Sequence, residues 1–490
     1  MSLNKNIPLK SGGELSADYL AHARATFLSE ADEAAFIHSC GQPLRKSIRL
    51  NRLKTSQNEF SAIASKYGWI LTPVPWCEDG FWIDLSQANH SLSLGNLPEH
   101  IQGLFYIQEA SSMLPPVALL PDDIADSVLV GDIAAAPGSK TTQMASMMEN
   151  RGIIWANELS ASRLKGLHSN LVRCGILNTC LSHQDGRVIG DLMPGQFDYL
   201  LLDAPCGGEG TVRKDFDALK SWDIERVRQL AVLQKELIAS AYRALKPGGR
   251  LVYSTCTLSP EENQQVANYL VSETNAQVIE LGSLFPGAQQ ARTEEGYLLV
   301  LPQLFDSEGF FISCFEKPES AVIESQPVAK FNGPFEPISK TEKKRLLDYF
   351  SSHFGVNIEP EGYQLLQREK DVWIFPAMIE SLDRYIKVNR SGMKLATVYP
   401  SRSGIKVRAS HEFCCCFGDK ASKQVVTLNS EQASDFYRGQ NIVVDCQSLK
   451  DGETILKFAN KSLGMGLNKK GRIKNLLPRD LVRDGICFPP

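Results

Sequence analysis

Two cysteines stand directly after apolar runs that predict buried strands. Cys206 lies in LLLDAPCGGEG and Cys256 lies in LVYSTCTLSPEEN. An isolated cysteine is more often a small buried core residue than a reactive one. Here, however, proline and glycine flank the thiols, which indicates loops at the ends of strands. A thiol on such a loop can act as a nucleophile, and the two are expected to face one cleft.

A pair of thiols at this place suits methylation of a pyrimidine carbon. Carbon 5 of cytosine is too weak a nucleophile to take a methyl group unaided. A thiolate that adds to carbon 6 turns the ring into an enamine, whose carbon 5 can attack a sulfonium methyl group. Charge then develops at ring nitrogen N3, where Asp203 could donate or share a proton. The second thiol could help to remove the carbon 5 proton and release the first.

The segment GDIAAAPGSKTTQMA predicts a cofactor-binding loop between a strand and a helix. Small side chains let the backbone approach a ligand, and the helix N-terminus offers unpaired N–H groups and positive potential. The glycine spacing matches neither the dinucleotide-binding fingerprint nor the phosphate loop of nucleoside triphosphatases. The loop residues assigned to the cofactor are Ala134, Ala135, Ala136, Pro137, Gly138, Ser139 and Lys140.

Acidic residues follow the next two predicted strands. Glu158 ends IIWANEL, where a carboxylate can accept hydrogen bonds from the hydroxyls of a ribose. Asp185, in SHQDGR, can accept one from the exocyclic amine of adenine. Each acid alone is as often a helix cap or a surface charge. Ligands in open α/β sheets lie at the carboxyl ends of the strands, so acids in successive loops favour a nucleoside cofactor.

These residues need a mostly parallel sheet to bring them to one edge. From 128 to 317, short apolar runs alternate with amphipathic stretches, which predicts an α/β fold of the Rossmann-like type. The strand candidates are SVLVGDIAA, GIIWANEL, FDYLLLDAP and RLVYSTCTL, and a helix is predicted over WDIERVRQLAVLQKELIASAYRALKPGG. The runs GYLLVLPQLF and GFFISCFEK predict an antiparallel hairpin at the edge of the sheet.

The rest of the chain divides around this domain. Residues 1–120 predict a helical N-terminal extension, and 121–317 form the α/β domain. Residues 318–395 begin with a stretch rich in Pro, Ser and Glu and predict a linker with a following small region. Residues 396–490 predict a small β-rich domain, in which EFCCCFG is expected to form a buried apolar strand.

Composition bounds the class of protein. A chain of 490 residues with 43% apolar and 22% charged residues can bury the cores of several domains. Its 12 cysteines form no CxxC pair, which argues against a disulfide scaffold and against a structural metal. There is no signal-peptide pattern and no apolar run of about 18 residues that could span a bilayer. A cytoplasmic location without a membrane partner is therefore expected.

Charge is distributed unevenly along the chain. The formal net charge is −4, yet residues 381–490 hold 19 Lys and Arg against 10 Asp and Glu. A basic surface alone is often only solvated, but such asymmetry also indicates contact with nucleic acid. A second basic line lies at RKSIRLNRLK, from Arg45 to Lys54. The C-terminal candidates for RNA contact are Lys461, Lys469, Lys470, Arg472, Lys474, Arg479 and Arg483.

The segments AAAPGSK, LLDAPCGGEG and YSTCTLSPEEN, in this order and spacing, resemble the RNA cytosine-5 methyltransferase family of the NOL1/NOP2/Sun type. The N-terminal segments RKSIRLNRLK, PWCEDGFW and YIQEASSMLPP are similar to that family's pre-catalytic region. The overall plan and the basic C-terminal part are most similar to bacterial members that modify a cytosine in the decoding region of small-subunit ribosomal RNA.

The resemblance implies a fold, a cofactor and residue roles. It implies S-adenosylmethionine as the cofactor, a C-terminal PUA-like RNA-binding domain, and ribosomal RNA of the small subunit as partner, with no obligate protein partner. Cys256 would be the nucleophile, with Cys206 assisting its release. Asp203 would join the cofactor residues named above. One departure is Gly207, where many relatives have serine.

Other readings stay open on the residues alone. The same chemistry could act on another ribosomal RNA site or on tRNA. DNA cytosine-5 enzymes use a Pro-Cys cysteine comparable with Cys206, so the choice of Cys256 depends on the resemblance. A catalytically silent RNA-binding assembly factor would have lost the nucleophile or the cofactor loop, and both are present. Amine methylation calls for an aromatic in place of Cys206, and a dehydrogenase calls for a different glycine spacing.

Overall fold

The N-terminal region contains helices, as predicted, and two small antiparallel sheets that the sequence does not predict. The computed structural model describes residues 6–9, 14–27, 29–88, 93–215, 217–219, 222–323, 335–358, 362–377, 385–401, 404–444, 449–486 and 488. The helices of this region are α1 (Ala17–Thr26), α2 (Glu30–Cys40), α3 (Gln57–Tyr67), α4 (Pro98–Ile101) and α5 (Leu114–Leu119). Its strands are β1 (Ile7–Pro8), β2 (Glu14–Leu15), β3 (Ser47–Leu50), β4 (Ile70–Val74), β5 (Cys77–Asp84) and β6 (Phe105–Ile107).

Strand β3 lies within the basic segment RKSIRLNRLK and is buried along its whole length. It pairs with both β5 and β6, so neither of its edges is free. Arg49 is 2% exposed, and its guanidinium donates to the Ser139 carbonyl (2.7 Å) and to Thr142 Oγ1 (2.9 Å). Because Arg49 is a buried cation, this strand lacks the alternation of buried apolar and exposed polar residues from which a strand is predicted. Arg49 also ties this extension to the predicted cofactor loop.

The α/β domain follows the predicted alternation of strands and helices. Its strands are β7 (Leu129–Asp132), β8 (Ile153–Asn157), β9 (Thr179–Ser182), β10 (Phe197–Asp203), β11 (Leu245–Thr255), β12 (Gln277–Val278), β13 (Leu298–Val300) and β14 (Phe310–Glu316). Its helices are α6 (Ser139–Met147), α7 (Ala161–Cys174), α8 (Ile189–Leu192), α9 (Ile224–Ala244), α10 (Gln264–Glu273) and α11 (Pro302–Phe305). The four strand candidates, the long helix and the antiparallel edge are confirmed.

Strand order places the loops after β7 and β10 side by side. Strands β11, β10, β7, β8 and β9 are parallel neighbours in that order, and β14 closes one side antiparallel to β11. The chain moves outward from β7 through β8 to β9 and then returns to the other side of β7. Such a reversal opens a crevice at the carboxyl ends of the strands. Large side chains such as Trp155 and Tyr253 fill the core on the faces of the sheet.

The C-terminal half forms two further five-stranded sheets. The helices are α12 (Lys340–Tyr349), α13 (His411–Phe417) and α14 (Ser430–Tyr437). The strands are β15 (Glu336–Pro337), β16 (Tyr363–Arg368), β17 (Asp371–Pro376), β18 (Val388–Ser391), β19 (Met393–Ser401), β20 (Gly404–Ala409), β21 (Val425–Thr427), β22 (Ile442–Val443), β23 (Gly452–Phe458), β24 (Lys461–Lys469) and β25 (Arg472–Asn475). One sheet has the order β15-β16-β17-β19-β20, and the other β21-β23-β24-β25-β22.

Strand β18 belongs to neither of these sheets. It pairs antiparallel with β9 and completes the central sheet, so the C-terminal half contributes an edge strand to the α/β domain. This contact joins residues about two hundred positions apart in sequence, which a local pattern does not reveal.

One expectation for this half is wrong. EFCCCFG forms helix α13 and not a strand, because Ser410 accepts from the Phe413 N–H and caps the segment, which packs on α7, β19 and β24. The boundary expected between residues 395 and 396 falls inside strand β19. Much of the predicted linker, residues 324–334, lies outside the described residues. Across the described part of the chain, no helix combines the length and apolar character that crossing a bilayer needs.

Candidate active site

The thiols of Cys206 and Cys256 lie together, with 3.3 Å between their Sγ atoms. Their loops begin side by side because Asp203, the last residue of β10, is paired with Ser254 of β11. Both cysteines are partly exposed. The hydrogen bond with Cys256, reinforced by burial, raises the pKa of the Cys206 thiol well above its ordinary value. The neutral thiol is therefore the favoured form of Cys206 beside Cys256.

A buried carboxylate supports the backbone beside Cys206. Glu262 accepts from the Gly207 N–H (3.1 Å) and from Gln234 Nε2 (2.6 Å), which also donates to the Pro205 carbonyl (2.9 Å). Burial, together with the charge of Glu209, raises the pKa of Glu262 to about 7. A Cβ at Gly207 would lie 2.6 Å from a Glu209 oxygen and 2.9 Å from a Glu262 oxygen. The absence of a side chain at 207 lets both carboxylates pack under the loop.

Glu209 links the Cys206 loop to the Cys256 loop. Its Oε1 accepts hydrogen bonds from Thr257 Oγ1 and Ser259 Oγ, and it is 1% exposed. In the reverse direction, the Gly210 N–H donates to the Cys256 carbonyl at 3.0 Å. The two thiol loops are therefore held as one unit, which fixes the distance between the sulfur atoms.

Asp203 faces the predicted cofactor loop. Lys140 Nζ donates to its Oδ2 (2.6 Å) and Ser254 Oγ to its Oδ1 (2.8 Å), so both carboxylate oxygens act as acceptors. Lys140 is 7% exposed and also donates to Ser112 Oγ (3.0 Å). This chain of contacts connects the cofactor loop after β7 to the strand that leads to Cys206.

The small-residue loop forms a tight turn between β7 and α6. Ala135 and Ala136 are buried, Ala134 and Ser139 are half-buried, and Pro137 is exposed. Gly138 has φ 105°, and a Cβ there would lie 2.8 Å from Leu167 Cδ1 on α7. Glycine is the residue that adopts this conformation without strain. The backbone of the loop can thus approach a ligand closely, as the sequence predicts.

Polar side chains from neighbouring elements hold this loop. The Ala135 N–H donates to the Asn157 carbonyl (2.8 Å), and Arg163 donates to the Ala136 carbonyl (2.5 Å). The Asn157 amide donates to the carbonyls of Ile133 and Gln184, at 3.0 Å each. One asparagine at the end of β8 therefore connects the loops that follow β7 and β9.

Glu158 is buried beside the loop. It is 3% exposed, and its Oε1 accepts from the Ser160 N–H at 2.8 Å. Its Oε2 lies 3.4 Å from an Arg163 nitrogen, but no donor among the described residues makes a hydrogen bond to it. A buried carboxylate oxygen normally has a hydrogen-bond donor. A ribose hydroxyl would satisfy it.

Asp185 lies one loop further along the same edge, after β9. It accepts from the Arg187 N–H at 2.9 Å and pairs with the Arg187 guanidinium at 2.6 Å. This ion pair lowers the pKa of Asp185. Arg187 also pairs with Glu236 of α9 at 3.1 Å. The carboxylate is thus oriented from one side, with 31% of the side chain exposed.

Comparison with known proteins covers nearly the whole chain. Family models match at residues 117–316 ("16S rRNA methyltransferase RsmB/F"), 15–110 ("N-terminal domain of 16S rRNA methyltransferase RsmF"), 335–412 (the pre-PUA domain of ribosomal RNA small subunit methyltransferase F) and 423–483 ("Methyltransferase RsmF PUA domain"). A protein named ribosomal RNA small subunit methyltransferase F from Shewanella loihica is 47% identical over 457 residues, 92% of each chain. The chain belongs to the ribosomal RNA small subunit methyltransferase F family.

Further relatives agree with this assignment. A protein of the same name from Escherichia coli is 45% identical over 474 residues, which cover 96% of this chain and 97% of its own. Among solved structures, a methyltransferase homolog from Pyrococcus horikoshii is 32% identical, with a TM-score of 0.53, and the match covers 62% of this chain and 95% of that one. The family and the Rossmann-like fold expected from the sequence are confirmed.

Several residues of the site in this methyltransferase F chain were not predicted from the sequence. They are Asp132, Asn157, Arg163, Gln234, Ser254, Glu209 and Glu262. Asp132 is buried, accepts from Thr141 Oγ1 (2.6 Å), and has its pKa raised to about 7 by burial. Asp132, Asn157, Glu209, Ser254 and Glu262 stand in runs quoted for the site, so those motifs carried a signal for them. Arg163 and Gln234 depend on contacts between distant segments.

Proposed function

We propose that this chain transfers a methyl group from S-adenosylmethionine to carbon 5 of one cytosine in 16S ribosomal RNA, with Cys256 as the covalent nucleophile. The single observation that supports it most is the pair of thiols, 3.3 Å apart, beside the crevice at the reversal of strand order. A lone cysteine in a core would have neither the second thiol nor the adjoining ligand loop. The target in the decoding region is part of the same proposal.

The residues present fit the cofactor. Buried Glu158 Oε2 and Asp132 Oδ1 have no hydrogen-bond donor among the described residues, and a loop of small residues lies beside them. We assign the ribose hydroxyls to Glu158, the adenine amine to Asp185, and the amino acid part to the loop from 134 to 140 with Asp203. When bound, S-adenosylmethionine supplies an electrophilic methyl group.

The two thiols have different tasks in this proposal. Cys256 is the thiol that we assign to bond to carbon 6 as a thiolate, while the raised pKa of Cys206 favours its neutral thiol at that stage. Carbon 5 then carries the electron pair that bonds to the methyl group. In the last step Cys206, which has given up its own proton to solvent once Cys256 is bonded to carbon 6, takes the proton from carbon 5. The bond between Cys256 Sγ and carbon 6 then breaks, and its electron pair returns to Cys256 as a thiolate. Cys206, in contact with Cys256, is the group that we assign to this release.

Asp203 and Lys140 act on the base as a pair. Charge develops at N3 when the thiolate adds, and a proton shared between N3 and Asp203 stabilises it. Lys140 donates to one oxygen of the carboxylate and Ser254 to the other, which fixes the orientation of Asp203. The role of Lys140 is thus to position Asp203 as well as to contribute to the cofactor loop.

The domain division is part of the proposal. Residues 1–120 form the N-terminal extension and 121–317 the methyltransferase domain, as expected from the sequence. The chain passes from the first C-terminal sheet to the second between β20 and β21. We therefore move the last domain boundary from residue 395 to the segment of α13. Residues after it form the PUA-like module, whose basic strands β24 and β25 would contact RNA.

The test compares Cys256→Ser with Cys206→Ser. Tritiated methyl transfer to 16S ribosomal RNA and to isolated small subunits is measured, together with covalent protein–RNA adducts on denaturing gels. Cys256→Ser should lose both transfer and adduct, while Cys206→Ser should accumulate adduct that does not resolve. Cys416→Ser, a partly buried thiol on α13, is the matched control. The proposal is wrong if Cys256→Ser still transfers, or if only Cys206→Ser loses the adduct.

A deletion strain identifies the substrate position. Bisulfite sequencing of its total RNA should find one cytosine in small-subunit ribosomal RNA that loses protection, and the wild-type gene should restore it where the Cys256→Ser gene does not. If the cytosine that loses protection lies in tRNA or in large-subunit RNA, the proposed chemistry stands and the proposed substrate is wrong.

A further inference from the structure

A cavity of about 1000 Å³ lies between the methyltransferase domain and the two C-terminal sheets. One wall is helix α7, another is formed by strands β18 to β20 with the start of α13, and a third by β24 with the segment 476–486. Neither catalytic cysteine nor Asp203 lines it. Its size is at the upper end of the range of ~300–1,000 Å³ found for sites that bind small molecules.

Hydrogen bonds join the elements that form the walls of this cavity. Lys461 Nζ on β24 donates to the Lys54 carbonyl (2.5 Å), and Gln102 Nε2 donates to the Phe458 carbonyl (2.9 Å). On the opposite side, β18 is hydrogen-bonded to β9 of the central sheet. These contacts fix the PUA-like module on the N-terminal extension and set the distance between the walls of the cavity.

The lining is strongly basic. Among the described residues, seven lysine and arginine side chains line the cavity against two carboxylates, Glu412 and Asp480. Arg390 is already paired with Glu412, and Lys394 pairs with Asp371 at 2.8 Å. Lining charges of one sign raise the local concentration of oppositely charged ligands.

Three exposed cations of the lining have little to neutralise them. Lys165 on α7 and Arg483 form no ion pair with another described residue, and Arg408 on β20 lies 3.9 Å from Glu453. They come from the methyltransferase domain, the PUA-like module and the sheet between them. An anionic ligand with several charges could therefore contact all three domains at once.

Neutral polar groups stand among these cations. Burial lowers the pKa of His168 to about 3 and that of His411 to about 4, so both imidazoles are uncharged near neutral pH. His168 Nε2 and His411 Nδ1 are buried and make no hydrogen bond to a described residue. Tyr399, 37% exposed, adds an aromatic ring to the lining. Cations, neutral imidazoles and an aromatic face match phosphates, sugar hydroxyls and a base respectively.

We infer that this cavity binds a single-stranded segment of the substrate RNA, a few nucleotides long, away from the target cytosine. The inference rests on the proposed function for the identity of the RNA. Helix α7 begins at Ala161, three residues after Glu158, and Ala161 lines the cavity, so one end of the cavity lies near the edge of the sheet that holds the crevice for the cofactor. RNA bound there would span from the PUA-like module toward the catalytic domain.

The experiment removes the three exposed cations together. The variant Lys165→Ala/Arg408→Ala/Arg483→Ala is compared with a control that loses equal charge from the exposed face of α12, Lys340→Ala/Lys344→Ala/Arg345→Ala. Binding of a fluorescein-labelled 12-nucleotide oligouridylate is followed by anisotropy across a series of salt concentrations. Each lost phosphate contact reduces the salt slope by ~0.7. The cavity variant should bind at least about tenfold more weakly, with a slope lower by about 2, and the control should match wild type.

Two further measurements separate the outcomes. Calorimetric binding of S-adenosylmethionine and the melting temperature should be the same in both triple variants, since neither touches the cofactor residues. A 4-thiouridine oligonucleotide should cross-link to a peptide that contains Tyr399. The inference is overturned if the cavity variant binds RNA as the control does, or if cross-links map only to the outer face of β24 and β25. Cys256→Ser should leave oligouridylate binding intact, so failure of the proposed chemistry would be seen separately.

Discussion

Lys140 Nζ donates a hydrogen bond of 2.6 Å to Asp203 Oδ2, which joins the loop after β7 to the end of β10. The two residues are 63 positions apart in sequence and meet because their strands are neighbours in the parallel sheet. Lys140 belongs to the loop assigned to the cofactor, and Asp203 precedes Cys206 by three residues. The proposed sites for the cofactor and for the base therefore share one ion pair.

Replacing Asp203 by asparagine should separate these roles. Asp203→Asn keeps the size and one acceptor but removes the charge opposite Lys140 and the group that shares a proton at N3. Loss of an acid–base group lowers a rate by about 10²–10⁴, so we expect kcat for methyl transfer, measured on the folded variant, to fall by that order. Asp191→Asn, an exposed acid on α8, is the control. A rate close to wild type would exclude Asp203 from the chemistry.

Gly138 should be irreplaceable in the cofactor loop. At φ 105° an alanine is strained by about 1–2 kcal/mol, and its Cβ would lie 2.8 Å from Leu167 Cδ1. Gly138→Ala should weaken S-adenosylmethionine binding by about tenfold or more, measured by calorimetry. Gly166→Ala, on α7 with no atom within 4 Å of the new Cβ, should bind as wild type. Equal affinities for the two variants would contradict the assignment of the loop.

The buried acid at Asp132 should make stability depend on pH. Burial raises its pKa from 3.8 to about 7, so the folded chain binds more protons than the unfolded chain between these values. Stability from this group is present at low pH and is lost as pH rises through about 7, by at most about 4 kcal/mol. The melting temperature of wild type minus that of Asp132→Asn should therefore fall between pH 5 and pH 8. A flat difference would show that Asp132 is ionised throughout.

Arg213 should stabilise the junction between the N-terminal extension and the thiol loops. It is 3% exposed, and its guanidinium donates to the carbonyls of Gln42, Pro43 and Ser307 and to Asp306 Oδ1. Arg213→Met leaves these acceptors without donors, and the free energy of unfolding should drop by about 3–5 kcal/mol in urea titrations. Arg228→Met, whose exposed guanidinium pairs with Glu225, should change it by less than about 1 kcal/mol.

The central strands could be predicted because each one is marked by a local run of apolar residues. The apolar runs that became β7, β8, β10 and β11 are buried on both faces of the sheet, so they read as continuous hydrophobic segments. Since parallel strands bring their carboxyl ends to one edge, the residues after them could be expected to meet. The proximity of Cys206 and Cys256 follows from that rule.

The rest depends on contacts that no window of sequence contains. The run Cys414 to Cys416 is apolar enough for a strand, but the cap at Ser410 and packing against α7 make it helical. Arg49 lies in a basic segment that resembles a solvated loop, yet it is buried against α6. In each case tertiary packing overrides local preference.

Strand β18 has a consequence for how the molecule is made. Strand β9 gains its second neighbour, β18, only after residue 391 has left the ribosome. By then β14 has long been synthesised. Until then the nascent methyltransferase domain presents an open edge that can pair with other chains. A fragment that stops at residue 317 would keep this edge permanently. The enzyme's own C-terminal half thus acts as the protecting element that completes its catalytic core.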